Sequence, residues 1–343
     1  MINQNILRSS FFISLFLFVS SMQAAVSYID VETYKHSTET LYARISIPDT
    51  TGPFPVILAF HGGGFTGADR KRFKDSFHEH CNSLGFAVVS AEYRLITEGG
   101  KHPNAVKDAM HTLHWIIDKA DVYNFDTSRI VTLGSSAGAY LAIMIGLTCG
   151  QEDFQPDFGP YQGKTAQVKA VVSSMAMYDW SAISEGSGYI GNYRNVPSAS
   201  PVHNARGIGC ENFILFGGEN DLDWSPQATA YAMHDSLIAA EKYSEVHIME
   251  NQGHQGFYEY SNEFEIWCWD SLEVFLDKKV ITKPVSVFAN NLFYKQQPVQ
   301  GRLLFLKDLS GTGSLITGGQ VYDITGKKRR DQVFQNGVLL LRP

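Results

Sequence analysis

The chain carries two kinds of hydrophobic pattern. From residue 41 to about residue 280, short apolar runs alternate with stretches in which apolar residues recur every three or four positions. "YARISIP", "FPVILAFH", "FAVVSAEYR", "RIVTLG", "VKAVVSSMA", "NFILFGG" and "SEVHIME" have the length and β-branched content of buried strands. Helices are predicted between them. "DSFHEHCNSLG" stops at Gly85. "HPNAVKDAMHTLHWIIDKA" has Pro103 near its start and gathers Ala105, Val106, Ala109, Met110, Leu113, Ile116 and Ile117 on one face, so His111 and His114 are free to face solvent. "AGAYLAIMIGL" is apolar all round, and two more helices fall at about 226–241 and 261–277. Strand–helix alternation of this kind predicts an α/β fold: a mostly parallel central sheet with helices on both faces.

After "DKKVITKP" the text changes to alternating, turn-punctuated β sequence: "VSVFANNLFY", "GRLLFLKD", "GGQVYDITGKKRR", "NGVLLLRP". Residues 285–343 are therefore expected to form a small β-rich module, with the charge run Lys327 to Arg330 as an exposed turn. At the other end, Arg8 precedes "FFISLFLFVS", and "SMQAA" closes on small residues. These are the parts of a signal peptide, expected to be cleaved near Ala24 or Ala25. The expected layout is thus a signal peptide over 1–24, a main domain over 25–284 and the β module over 285–343. The apolar run is too short to span a bilayer comfortably, so no stable membrane insertion is expected after cleavage.

Composition narrows the partners. Lys and Arg number 28 against 35 Asp and Glu, a formal charge of −7, which gives nucleic acid no basic face to bind. Aromatics at 13% suit either a well-filled core or stacking on sugars. Cys81, Cys149, Cys210 and Cys268 are widely spaced without a C-x-x-C pair, so neither a zinc site nor another metal is expected. Export would permit disulfides, and four cysteines allow three pairings among which the sequence does not choose.

The candidate chemistry starts at "TLGSSAGAY". A strand, "RIVTL", meets a helix, "AGAYLAIMIG", with only G-S-S between them. That is the setting of a G-x-S-x-G nucleophile elbow, and the pattern fits Gly134-Ser135-Ser136-Ala137-Gly138. Centring on Ser135 would require glycine where Leu133 and Ala137 stand, so Ser136 is the candidate nucleophile. A serine needs a base. His78 and His80 flank Glu79 on a helix and His247 sits inside a strand, whereas His254 lies in a glycine-bracketed loop after a strand, "ENQGHQGFYEY". The orienting acid is expected between them, in "NFILFGGENDLDW". Glu219, Asp221 and Asp223 all qualify; Asp221, four residues past Gly217, is preferred, with Asp223 in reserve. Asp179 in "MYDW" is expected to shape its own loop. "VILAFHGGGF" runs a strand into three glycines, whose N–H groups at Gly63 and Gly64, with that of Ala137, would form an oxyanion hole. Phe65, Trp180, Tyr189 and Trp224 are candidate substrate contacts, two of them, Trp180 and Tyr189, within an aromatic-rich segment that also holds Tyr178 and Tyr193.

"HGGGF", "AEYRL", "HPNAVKDAMHTLHWI", "GSSAGAYLA", "GGENDLDW" and "GHQGF" follow one another as in bacterial α/β-hydrolase esterases of the hormone-sensitive-lipase and feruloyl/acetyl-esterase type, which the chain resembles over residues 41–277. The resemblance implies the α/β-hydrolase fold and a cofactor-free serine esterase with Ser136 as nucleophile, His254 as base and Asp221 as acid. It also implies that His61 and Asp108 are structural. Gly138 is followed by Ala139 where many relatives have a second glycine, a small change in helix packing. "VYDITGKK" and "NGVLLLRP" resemble the C-terminal sorting tails of secreted proteins of Bacteroidetes- and Fibrobacter-type bacteria. The expected protein is therefore a secreted bacterial hydrolase, periplasmic or extracellular, acting on acetyl or feruloyl groups of plant polysaccharide or of small-molecule esters. Two rivals stand beside it. Prolyl-peptidase-type serine exopeptidases share the fold and triad but carry a large extra domain. A non-catalytic binding protein on this scaffold would be expected to lack the serine or the histidine.

Overall fold

The computed structural model describes residues 26–36, 39–182, 188–193, 195–222, 225 and 227–281, together with the backbone of five strands between Leu304 and Leu341. The chain separates into two units at Thr282 and Lys283. In the first unit the strands are β1 (Ile29–His36), β2 (Glu39–Ser46), β3 (Phe54–Phe60), β4 (Ala87–Ala91), β5 (Phe125–Ser135), β6 (Ala170–Ser174), β7 (Asn212–Gly218) and β8 (Tyr243–Met249). The helices are α1 (Asp75–Ser83), α2 (Asn104–Asp118), α3 (Ala120–Tyr123), α4 (Ala137–Thr148), α5 (Gln227–Ala239) and α6 (Glu263–Lys279). One sheet contains all eight strands in the order β1-β2-β4-β3-β5-β6-β7-β8. It is antiparallel at the β1, β2 edge and parallel from β4 to β8.

The apolar runs form central strands because only a sheet covered on both faces buries consecutive apolar side chains. Every residue of β3, β4 and β6 is buried. Successive side chains go to opposite faces. Val56, Leu58 and Phe60 join the core under α2 and α4, while Ile57 and Ala59 join Phe77 and Cys81 of α1 and Trp269 and Leu272 of α6 on the other side. α4 lies wholly inside, with all 12 residues buried. Its five large aliphatic side chains, Leu141, Ile143, Met144, Ile145 and Leu147, would contribute about 10 kcal/mol of gross burial energy, an upper figure. That anchoring leaves the amino end of α4 little freedom to move.

Three expectations about individual positions are corrected. Ile117 is 37% exposed, because α2 turns its last residues away from the sheet. His111 and His114 are buried, not solvated. The segment after α4 covers that face of α2: His111 packs against Tyr161 and Phe158, and His114 bonds Gln155. β1 is an edge strand that the hydrophobic pattern did not single out, since most of its residues stay at least partly exposed.

The second unit is a five-stranded antiparallel sheet of β9 (Leu304–Lys307), β10 (Gly313–Thr317), β11 (Gln320–Asp323), β12 (Lys328–Gln335) and β13 (Val338–Leu341), in the order β13-β12-β11-β10-β9. Lys328 to Arg330 of the charge run expected as a turn instead open β12, with Lys328 opposite Tyr322, while Lys327 lies outside the described residues. Charged residues do not break a strand of an antiparallel sheet, one face of which can meet water. The signal peptide and "VSVFANNLFY" lie outside the described residues. Among the described residues no helix is long and apolar enough to cross a membrane, and the four cysteines are buried and unbridged.

Candidate active site

β3 pairs with β4 on one side and β5 on the other, so the strand order reverses at β3. In an open parallel sheet, such a switch point leaves a crevice beyond the carboxyl ends of the strands. Phe60 pairs with Gly134, so β3 and β5 end level. His61 to Gly64 leave one strand where Ser135 and Ser136 leave the other.

Ser136 has φ 56° and ψ −121°, a conformation that strains an L-residue by ~1–3 kcal/mol. The turn is held from both sides: the Ser136 N–H donates to the Ser174 carbonyl at 2.9 Å, and the Tyr140 N–H donates to the Ser136 carbonyl at 3.1 Å. The flanking glycines are required by packing. A Cβ on Gly134 would meet the Gly138 carbonyl oxygen at 2.2 Å, and one on Gly138 would meet the Phe60 carbonyl oxygen at 2.0 Å. The two serines have different surroundings. Ser135 is buried, with its hydroxyl donating to the Gln255 carbonyl at 3.4 Å, whereas Ser136 is partly exposed.

The other two candidates come from the next pair of strand ends. Gly218 of β7 pairs with Met249 of β8. Beyond them the Glu219 N–H donates to the Met249 carbonyl at 3.0 Å and the Asn220 N–H to the Gln252 carbonyl at 2.8 Å, which ties the two loops together. His254 Nδ1 then lies 2.5 Å from Asp221 Oδ2, and His254 Nε2 lies 2.9 Å from Ser136 Oγ. The carboxylate favours the tautomer with its proton on Nδ1, leaving Nε2 to accept the serine proton. The other carboxylate oxygen accepts the Ser225 N–H at 3.2 Å. The Asp221 side chain is 2% exposed and that of His254 30%. Of the alternative acids, Glu219 accepts the N–H of Asn251 in the loop after β8 at 2.8 Å, and Asp223 lies outside the described residues.

Above the serine, Gly63 (φ 114°) and Gly64 (φ 62°) adopt backbone conformations that favour glycine. The Gly62 N–H is taken by the Tyr258 hydroxyl at 3.0 Å. The N–H groups of Gly63 and Gly64 have no acceptor among the described residues. Ala137 is the first residue of α4, where the N–H has no intrahelical acceptor and the helix dipole favours negative charge. These three donors flank Ser136. His61 is scaffold: it is buried, stacked on Tyr93, and its Nδ1 bonds the Gly62 carbonyl at 2.8 Å. Burial pushes its pKa down to about 4, so it is neutral. The Tyr93 hydroxyl donates to the His61 carbonyl at 2.7 Å. Asp108 is also structural. Fully buried, it forms a bidentate ion pair with Arg94 at 2.8 Å and accepts the Arg94 backbone N–H. Asp179 accepts the Ser181 N–H and hydroxyl and so shapes its own loop.

The aromatic candidates need correction. Phe65, Trp180 and Tyr189 are buried, so none presents a ring face to a substrate. Phe65 stacks on Tyr189 at 3.6 Å, and Tyr140 meets Phe65, Tyr189 and Trp180 edge-on. Apolar rings this large are more stable packed together than left in water, so they back the site. Tyr193, 43% exposed, keeps an accessible ring. Trp224 lies outside the described residues. Sequence reasoning missed Tyr140 and Tyr258. Tyr140 sits one helical turn beyond Ser136, a spacing that could have pointed to it. Nothing in the spacing of "GHQGFYEY" signals Tyr258. Two cavities, of about 690 and 530 Å³, open beside Cys149, Lys169 and Glu211 and beside Ala240 and Lys242. Ser136, Asp221 and His254 line neither.

Comparison with known proteins fits this geometry. Residues 45–203 match the BD-FAE family model, a span that includes Gly63, Gly64 and Ser136 but ends before Asp221. Esterase LipI of Mycobacterium tuberculosis is 35% identical over 91 residues, covering 26% of this chain and 28% of its own. Lipase 2 of Moraxella sp. is 37% identical over 90 residues, covering 26% of this chain and 21% of its own. The chain thus spans under a third of the length of these curated relatives. Among solved structures, butyrate-bound esterase 2 of Thermogutta terrifontis superposes with a TM-score of 0.62 at 20% identity, over 76% of this chain and 97% of the other. A bifunctional GH43-CE protein of Bacteroides eggerthii gives a TM-score of 0.61 at 22% identity, over 73% of this chain and 38% of the other. The first unit has the α/β-hydrolase fold.

Proposed function

We propose that this α/β-hydrolase is a secreted serine carboxylic-ester hydrolase that removes short acyl groups through an acyl-enzyme. The observation that carries the reading is the hydrogen-bonded series Asp221, His254, Ser136, set beside backbone N–H groups that have no acceptor among the described residues. Ser136 Oγ attacks the ester carbonyl while His254 Nε2 takes its proton. The oxyanion is held by the N–H groups of Ala137 and of Gly63 or Gly64. The protonated His254, stabilised by Asp221, then gives the proton to the leaving alcohol, and water releases the acid by the same steps in reverse roles.

A short acyl group is favoured because Phe65, Tyr140, Trp180 and Tyr189 already fill the space behind the elbow. The butyrate bound to the Thermogutta esterase is in keeping with that size. Acetyl groups, on polysaccharide or small esters, are thus the favoured substrate, and the bulkier feruloyl group is the alternative. The apolar segment at 11–20 and the β module over 285–343 support export, the latter as a sorting or accessory element.

Fluorophosphonate labelling of the purified protein tests the reading. A covalent adduct on Ser136 is expected, and its absence in folded protein would favour a non-catalytic binding role. A panel of acetyl, butyryl, octanoyl and feruloyl esters then orders the acyl groups. Hydrolysis of p-nitrophenyl acetate without release of acetate from acetylated xylan would remove the polysaccharide half of the proposal.

A further inference from the structure

We infer that Tyr258 is a positioning residue for the oxyanion hole, tying the loop that carries the base to the loop that carries the donors. The inference rests on the hydrolase reading above. Tyr258 lies four residues beyond His254 on the same loop, and its hydroxyl accepts the Gly62 N–H at 3.0 Å across 196 residues of sequence. The contact is at the site itself. A Cβ placed on Gly62 would lie 2.3 Å from that hydroxyl, 2.8 Å from the Ser135 carbonyl oxygen and 3.0 Å from Ser136 Cβ. Gly62 is therefore wedged between the tyrosine and the elbow, and the peptide unit that follows it presents the Gly63 N–H.

The tyrosine is itself held firmly. Its backbone N–H donates to Glu265 Oε1 at 2.8 Å, and its carbonyl accepts the Lys74 N–H at 2.9 Å. Glu265 is buried in α6, and the same oxygen accepts the Glu259 N–H at 2.9 Å. The ring packs edge-on against Phe73. α6 and the start of α1 thus fix the phenol, and the phenol fixes the plane of the Gly62 amide. Without the hydroxyl, that buried N–H would have no acceptor, and the peptide would gain by rotating toward one. The rotation would turn the next N–H away from a developing oxyanion while leaving the ground-state contacts of the ester largely unchanged. Such a loss appears in kcat and not in KM.

Tyr258→Phe removes only the oxygen. We expect kcat on p-nitrophenyl acetate to fall about tenfold with KM within about twofold of wild type, the size of one lost hydrogen bond at the transition state. Inhibition by an aryl trifluoromethyl ketone, which forms a tetrahedral adduct on Ser136, should weaken by the same factor. A purely structural role would lower the melting temperature and leave kcat and the ketone's Ki together at wild-type values, and that result overturns the inference. Should Tyr258→Phe fail to fold, 3,5-difluorotyrosine at position 258 keeps the shape and weakens the acceptor. At pH 6 it should lower kcat about threefold, and an unchanged kcat would overturn the inference. Failure of the underlying reading is distinguishable, because wild-type protein would then form no fluorophosphonate adduct on Ser136.

Discussion

Asp221→Asn tests the candidate triad at the point where its geometry is most specific. The two carboxylate oxygens have different tasks: Oδ2 faces His254 Nδ1 at 2.5 Å and Oδ1 accepts the Ser225 N–H at 3.2 Å. An asparagine must place its one oxygen toward one of them. The backbone N–H of Ser225 can only donate, so it claims the oxygen and turns the amide NH₂ toward the imidazole. Nδ1 then has to accept, the ring proton moves to Nε2, and Nε2 can no longer take the serine proton. The same exchange in a serine-protease triad lowers kcat ~10⁴-fold, about 5 kcal/mol of transition-state stabilisation. A loss of that order is expected here, with KM little changed and the fold intact by circular dichroism. The assay is steady-state hydrolysis of p-nitrophenyl acetate between pH 6 and 9. A loss below about tenfold would refute the tautomer argument, and a larger loss in Asp223→Asn would move the acid to the reserve position.

The same geometry sets the outcome of other substitutions. Ser136→Ala should lower kcat by ~10⁶, while Ser135→Ala should keep most activity; the reverse pattern in the same assay would overturn the elbow assignment. Gly138→Ala would drive a Cβ to 2.0 Å from the Phe60 carbonyl oxygen, so differential scanning calorimetry should show a melting temperature lower by about 5–10 °C, on the scale of overpacking in a domain this size. Asp108→Ala leaves the buried Arg94 guanidinium without its carboxylate and should cost ~3–5 kcal/mol in urea unfolding, most of it recovered in Arg94→Met/Asp108→Leu. Burial lowers His61, His78, His102 and His111 from 6.5 to about 4. The unfolded chain therefore binds more protons than the folded one between those values, and stability should fall as pH drops from 6.5 toward 4, by up to roughly 3 kcal/mol per histidine. Urea midpoints that stay flat across that window would contradict the burial of these rings.

The α/β architecture was legible because its central strands are buried on both faces, so runs such as "FPVILAF" need no alternation to be recognised. β1 was missed for the opposite reason: it is an edge strand whose residues mostly stay in contact with solvent. Ser136 could be told from Ser135 by the glycines at 134 and 138, since both are required by backbone contacts within 2.2 Å of an added Cβ. The buried histidines could not be read in this way. His111 and His114 are placed by Phe158, Tyr161 and Gln155, from a segment more than 40 residues later that carries no periodic signal. The aromatic candidates failed on a similar point. A ring that stacks on a sugar and a ring that stacks on another ring have the same sequence, and only the 3.6 Å approach of Phe65 to Tyr189 separates the two.

The gradient of exposure across the three residues gives the site a direction. Asp221 is 2% exposed, where water screens its charge little, and His254 is 30% exposed, within reach of the solvent that the proposed deacylation needs. His61, directly before the glycine loop, shows what full burial does to an imidazole, whose pKa it pushes down to about 4. A fully exposed one would not feel the carboxylate. The register of β7 with β8 sets this balance, because Gly218 and Met249 end level and the loops beyond them bond at 2.8 and 3.0 Å before releasing the two side chains. The same sheet delivers the serine from β5 on an immobile helix and the donors from β3. Catalytic geometry is therefore expected to survive changes on the solvent face of α5 or α6 and to fail with changes at four strand ends. A scan of exposed Tyr231, Ile238, Ile266 and Val274 to alanine should leave kcat within about twofold of wild type.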